Sequence, residues 1–207
     1  MEPLQVELRD GAPATIRQLG PDDRELIRRG FERLSAESRW RRFMTADAEL
    51  SDDDLDYLVD VDHRRHEALI AVDPESGEGL GVARWFRKPG RREVAELAVA
   101  VLDDWQGRGL GSALVAAINE RARAEGIERY EAVVSVDNEQ VIEALERHGA
   151  VRRDPAEPGT VEFEAAVPGG GVGASLATGL RAAATGQLRL ASAAAGWVRQ
   201  RVPWPRS

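Results

Sequence analysis

The stretch Gln106-Gly107-Arg108-Gly109-Leu110-Gly111-Ser112 constrains this chain more than any other part of it. It stands between a long strand-like run, Glu93 to Leu102, and a helix-like run with Leu110, Leu114, Ala117, Ile118 and Ala122 on one side. Glycines in a strand-to-helix turn let the backbone approach a ligand and take dihedrals closed to other residues. The helix start adds unpaired amides and the positive end of the dipole, which together suit phosphate. Arg108 offers a charge for the same site. Such a turn can also be purely structural, so its context decides. A P-loop is excluded, because the chain has no GxxxxGK run. A dinucleotide-binding turn needs GxGxxG after the first strand of a doubly wound parallel sheet. Here Gly111 follows Gly109 too soon, and hairpin-like strands precede the loop.

The surrounding pattern alternates between strands and helices. Thr15 to Leu19 alternates apolar and polar residues, as a half-buried strand does. Pro21-Asp22-Asp23 opens a helix carrying Leu26, Ile27, Phe31 and Leu34. Ser51 and Asp54 form the N-cap box of a short helix with Leu55, Leu58 and Val59. Three strands follow, Glu67 to Val72, Leu80 to Phe86 and Glu93 to Leu102, joined by turns that suggest antiparallel hairpins. After the glycine loop and its helix, Arg129 to Val136 reads as a buried strand. Asp137-Asn138 then starts a helix closed by Gly149, and two short strands lie within Val151 to Val167. The unit from Glu93 to Val136 is long enough for a parallel crossover. The pattern predicts an α/β (α+β) fold: a mixed, mostly antiparallel sheet with one parallel pair, flanked by helices.

Charge divides the chain in two. Its 28 basic and 36 acidic side chains give −8, but residues 168–207 hold five arginines and no acid. Residues 1–167 therefore carry −13 and the tail +5. The switch falls at Pro168-Gly169-Gly170-Gly171, a linker-like composition. This predicts one domain over 1–167 and a basic Gly/Ala-rich extension over 168–207. The extension can be drawn as an amphipathic helix for a partner or a membrane surface, or left disordered.

The acidic balance argues against nucleic-acid binding, and Trp40-Arg41-Arg42-Phe43 is read as core aromatics with surface arginines. Without cysteine there are no disulfides, thiolate nucleophiles or cysteine-ligated metals. His63 and His66 lack an evident third ligand, so no metal is predicted. His148, before Gly149, reads as a helix C-terminal partner. Met1 to Gln5 has no secretory signal and no run of about 18 apolar residues exists. The expected location is cytoplasmic.

The pattern Gln-x-x-Gly-x-Gly at Gln106 to Gly111 resembles the acyl-coenzyme-A loop of the general-control-type N-acetyltransferase (GNAT) superfamily. The element order over residues 14–167 matches too. Phe31 to Phe43, Gly81-Val82-Ala83-Arg84-Trp85 and Ala95-Glu96-Leu97-Ala98-Val99 look like bacterial protein lysine acetyltransferases of the Pat type. The resemblance implies acetyl-CoA as cosubstrate and no metal. It implies that Gln106, Gly107, Arg108, Gly109, Leu110, Gly111 and Ser112 hold the pyrophosphate. Val99, Ala100 and Val101 would pair with the pantetheine arm, and Asn138 would contact it as well as cap its helix. The strand at Val133 to Val136 would splay from the first, leaving a slot for the thioester. Pat-type enzymes can carry a cyclic-nucleotide domain, and no room for one exists before Thr15, so that control is not expected.

Acetyl transfer to an amine needs a neutral nucleophile, and a free lysine has a pKa of about 10.4. Glu96 is the candidate base. It shares a strand face with Val94, Ala98 and Ala100, small residues beside which a substrate fits; a solvated strand-face acid is the plainer alternative. Glu93, at the strand entrance, is a weaker candidate. Many superfamily members place tyrosine, as general acid, where this chain has Leu145, and phenylalanine where it has Ala150. The general acid is therefore unassigned. Without cysteine, direct transfer in a ternary complex is favoured over an acyl-enzyme. The acceptor is an amine, either a protein lysine or a small molecule. A non-catalytic acyl-CoA sensor or adaptor is the remaining alternative.

Overall fold

The computed structural model describes residues 1–35, 50–136, 142–143, 145–146, 150–153 and 159–167. The tail, the Trp40 to Phe43 run, Asn138 and His148 lie outside the described residues. The strands are β1 (Leu4–Glu7), β2 (Pro13–Gln18), β3 (His66–Val72), β4 (Gly79–Lys88), β5 (Arg91–Val101), β6 (Arg129–Ser135), β7 (Val151–Arg153) and β8 (Thr160–Ala166). Among the described residues the helices are α1 (Arg24–Arg33), α2 (Asp52–Val59) and α3 (Leu110–Ala124), with short 3-10 turns at Pro21–Asp23 and Asp103–Trp105.

All eight strands join one sheet in the order β1-β2-β3-β4-β5-β6-β8-β7. Every pair is antiparallel except β5 with β6. This is the predicted mixed sheet with one parallel pair. The strand β1 is an addition to the sequence reading.

The sheet is apolar on both faces because helices cover both. Strand β3 is buried at all seven positions, as a strand sandwiched between layers must be. On one face α3 presents Leu110, Leu114, Ile118 and Ala122 to Leu69, Ala83, Trp85 and Leu97. On the other, Ile27 of α1 and Leu55 and Val59 of α2 pack on Ala68, Ile70 and Val72. The Ser51 cap forms as read, with Ser51 Oγ accepting from the Asp54 amide at 3.1 Å. The turn from β2 into α1 is closed by Arg17, whose two terminal nitrogens donate to Asp23 at 2.7 and 2.6 Å. Burial alone would raise the Asp23 carboxyl, but Arg17 and the Gly20 amide hold it below the usual carboxylate range.

Candidate active site

Strand β5 has two unlike halves. Its partnership with β6 covers only Val94, Ala95 and Glu96, opposite Arg129, Tyr130 and Glu131. On its other side β5 pairs with β4 as far as Val101, opposite Gly81. Strand β6 meanwhile stays on β8 throughout Arg129 to Ser135. Beyond Glu96 the two parallel strands therefore diverge, and Leu97 to Val101 have no strand partner on that side among the described residues. This is the slot that the resemblance implied.

The glycine loop stands at the end of the open half. Gly107 has φ +77° and Gly109 φ +96°, backbone that favours glycine. Gly109 caps α3 without any side-chain bond. The first bond of that turn runs from the Ala113 amide to the Gly109 carbonyl at 3.1 Å, so the amides of Leu110, Gly111 and Ser112 precede the helical ladder. Ser112 Oγ is buried and, among the described residues, lacks a hydrogen-bond partner. Two left-handed glycines, three amides ahead of the ladder and an orphaned hydroxyl fit a diphosphate, and the slot beside them fits an extended thioester arm.

Two loop side chains behave differently from their expectation. Gln106 Nε2 donates to the Val101 carbonyl at 3.1 Å, latching the loop to the end of β5. Arg108 is already engaged: Nη1 lies 3.2 Å from Asp10 and the guanidinium sits 4.8 Å over the Trp105 ring. Leu110 is wholly buried in the core, so its side chain does not reach a ligand.

Glu96 occupies the last paired position of β5, where the slot begins, and is 6% exposed. It is opposite Phe86 on β4 and Glu131 on β6. A solvated strand-face acid would not be so enclosed. Glu131 is buried too and is ion-paired by Lys88 and Arg91. Burial works to raise the Glu131 carboxyl, but these two cations hold it below the ordinary range. Glu93 lies at the strand entrance, 3.0 Å from Arg129, outside the slot.

Residues given no catalytic or coenzyme role from sequence complete the surroundings. His66, Tyr57 and Phe86 stack, with His66 and Phe86 ring centroids 4.2 Å apart. Arg84 is buried and donates to His66 Nε2 at 3.4 Å and to the Leu58 carbonyl at 3.3 Å. An arginine can only donate, so that ring nitrogen accepts and His66 is neutral. Burial and the Arg84 charge push the His66 pKa down to about 3. Burial raises the Tyr57 hydroxyl, opposed by Arg84 and assisted by the charges of Asp62 and Glu96. His63 is bound instead to Glu67, at 2.7 Å, so the two histidines have separate partners.

A cavity opens beside this group between α1, α2 and the sheet, lined by Leu26, Phe31, Leu58, Val82, Arg84 and Ala100, among others. Ala100 and Val101, from the predicted coenzyme segment, both border it. Leu145 and Ala150 are buried in the core. Among the described residues no group of three metal-ligating side chains occurs, and no helix is long and apolar enough to cross a membrane.

A sheet that splays at a parallel pair, above a glycine turn at a helix start, is the arrangement of an acyl-CoA-dependent transferase. Residues 31–150 match the acetyltransferase (GNAT) family model, and the chain belongs to that family. It is 33% identical to the acetyltransferase Pat of Mycolicibacterium smegmatis over 149 residues, 72% of this chain. That match spans only 44% of the mycobacterial protein's length. An acetyltransferase of Pseudomonas aeruginosa is 34% identical over 151 residues, covering 72% of this chain and 81% of that one. Among solved structures, the GNAT domain of S. lividans PAT is 32% identical with a TM-score of 0.70, over 79% of this chain and 96% of that one.

Proposed function

We propose that this chain transfers the acetyl group of acetyl-CoA to an amine, with a protein lysine as the acceptor class, and that residues 1–167 carry the activity. The observation that carries this reading is the divergence of β5 from β6 immediately after Glu96, beside the open start of α3. Acetyl-CoA supplies the activated acyl group. The amides of Leu110, Gly111 and Ser112 bind the diphosphate, with Ser112 Oγ donating to it. The main chain of Val99 to Val101 aligns the arm along the slot, and a strand amide there polarises the thioester carbonyl. Glu96 accepts the proton that the cationic amine must lose before it attacks. The cavity between α1 and α2 receives the acceptor, and its apolar walls suit the methylene stem of a lysine. The family membership supports acetyl transfer, and the resemblance of Gly81 to Trp85 and Ala95 to Val99 to Pat-type protein lysine acetyltransferases supports the lysine reading.

The test is isothermal titration with acetyl-CoA, followed by an acetyl-CoA consumption screen over lysine peptides and free amines. Binding with turnover of peptides supports the reading. Turnover of free amines alone makes the enzyme a small-molecule acetyltransferase. Binding without turnover of any acceptor makes the protein an acyl-CoA sensor, and absence of binding overturns the assignment altogether.

A further inference from the structure

Resting on that acetyl-CoA reading, we propose that Arg9, from the turn between β1 and β2, supplies the principal cation for the coenzyme diphosphate. Sequence order points to Arg108, which sits inside the loop. The structure ties Arg108 down between Asp10 and Trp105, so its charge is partly neutralised and its side chain already committed.

Arg9 is placed by three features. Its amide donates to the Arg108 carbonyl at 2.9 Å, which joins the hairpin turn to the glycine loop. The turn is braced from within, with the Leu8 amide on the Ala12 carbonyl and the Gly11 amide on the Leu8 carbonyl, each at 2.9 Å. Its side chain lies across Gly109: Cγ, Nε and Cδ come within 3.4, 3.6 and 3.7 Å of where a Cβ on Gly109 would stand. Gly109 is the residue that turns the chain into α3, so an arginine lying over it is at the mouth of the amide cluster. Among the described residues Arg9 has no ion pair, and it is exposed. Asp10 offsets one of the two arginines, and Arg9 carries the uncompensated charge.

A diphosphate carries two negative charges, which three amides and a hydroxyl solvate but do not neutralise. An arginine donating to phosphate oxygens adds a charge-assisted bond and a Coulombic attraction that salt screens. The hairpin thus has a task that its exposed, sparsely packed strand β1 would not otherwise explain. Gly109 is constrained twice, by its positive φ and by the side chain lying over it.

The experiment is calorimetric titration of the full chain, and of Arg9→Ala, Arg9→Lys and Arg108→Ala, with acetyl-CoA and with its 3′-dephospho analogue at low and high salt. Arg9→Ala should raise the acetyl-CoA Kd about tenfold at low salt and less at high salt. Arg9→Lys should fall between it and the parent, and Arg108→Ala should cost about twofold. The Arg9→Ala loss should persist with the 3′-dephospho analogue. An unchanged Kd in Arg9→Ala, with a parent that binds, overturns this proposal and leaves the acetyl-CoA reading standing. A loss that disappears with the 3′-dephospho analogue also overturns it, by moving Arg9 to the 3′-phosphate. A parent that does not bind acetyl-CoA overturns the underlying reading and this proposal with it. Arg9 is exposed, so both Arg9 variants should unfold at the parent's temperature, which separates a binding defect from a folding one.

Discussion

The two halves of β5 obey different physics. From Arg91 to Glu96 the strand comes to be paired on both sides, at Ala95 and Glu96, and is framed by charge: Lys88 and Arg91 on Glu131, Arg91 and Arg129 on Glu164, Arg129 on Glu93. From Leu97 to Val101 it is paired with β4 alone, and its side chains are small and apolar. The paired half registers β6 and fixes Glu96. The other half leaves main-chain groups available to a ligand. A continuous ladder would have closed the slot, and a wholly unpaired strand would have left the acid without a fixed position. Ending the parallel pairing after three residues achieves both.

The comparison can be broken at either half. The largest effect should come from Glu96→Gln, which removes the proposed base and keeps the shape. Its kcat should drop by about 100-fold or more while the acetyl-CoA Kd stays within about twofold; equal turnover would remove Glu96 as base. A pH series on stability tests the enclosed aromatic group next to the paired half. His66 is neutral in the folded state with a pKa of about 3, below its unfolded value of about 6.5. The folded state thus binds fewer protons, and its stability is complete above about pH 6.5 and lost as pH falls toward 3. The limiting slope is about 1.4 kcal/mol per pH unit, measurable by urea unfolding, and His66→Gln should flatten it. Asp23 and Glu131, both held low, add their own loss at the acid end of that range.

The open half should answer to sterics. A Cβ on Gly81 would stand 2.8 Å from the Ala100 carbonyl oxygen and 3.2 Å from Leu114 and Val101 side-chain atoms. Gly81→Ala must therefore push β4 from β5, at a cost of about 1–3 kcal/mol in denaturant unfolding, and it should also weaken acetyl-CoA binding. The smallest effect belongs to Lys88→Ala. Arg91 still pairs Glu131, so the loss should stay under about 1 kcal/mol.

Much of this was legible in the sequence. The hairpins β3 to β5, the loop and α3 stand where periodicity and turn residues put them, and Leu102 to Leu110 changes texture where the sheet ends. The opposition of Glu96 to Glu131 was not legible, because the register between β5 and β6 depends on packing across the 27 intervening residues, 102–128, that no local pattern encodes. The strand β1 was missed for a plainer reason. It lies at the sheet edge with Leu4 and Gln5 exposed, so it lacks the alternation that marks a half-buried strand. A signal did exist in Asp10-Gly11, a hairpin dipeptide in which Gly11 has φ +81°. Reading it would have brought Arg9 toward the loop, a neighbour 100 positions away from Gly109 in the chain. Arg84 looks like a surface polar residue in sequence, and Gln106 like a coenzyme contact; the burial of Arg84 and the bond of Gln106 to the Val101 carbonyl follow from tertiary contacts alone.

Hydrogen exchange with and without acetyl-CoA tests the divided strand most directly. Added coenzyme should slow exchange at the amides of residues 97–101 and 106–112 and leave 94–96 unchanged, because β6 already covers that stretch. Protection spread evenly along β5, or absent from both the open half and the glycine loop, would contradict the account.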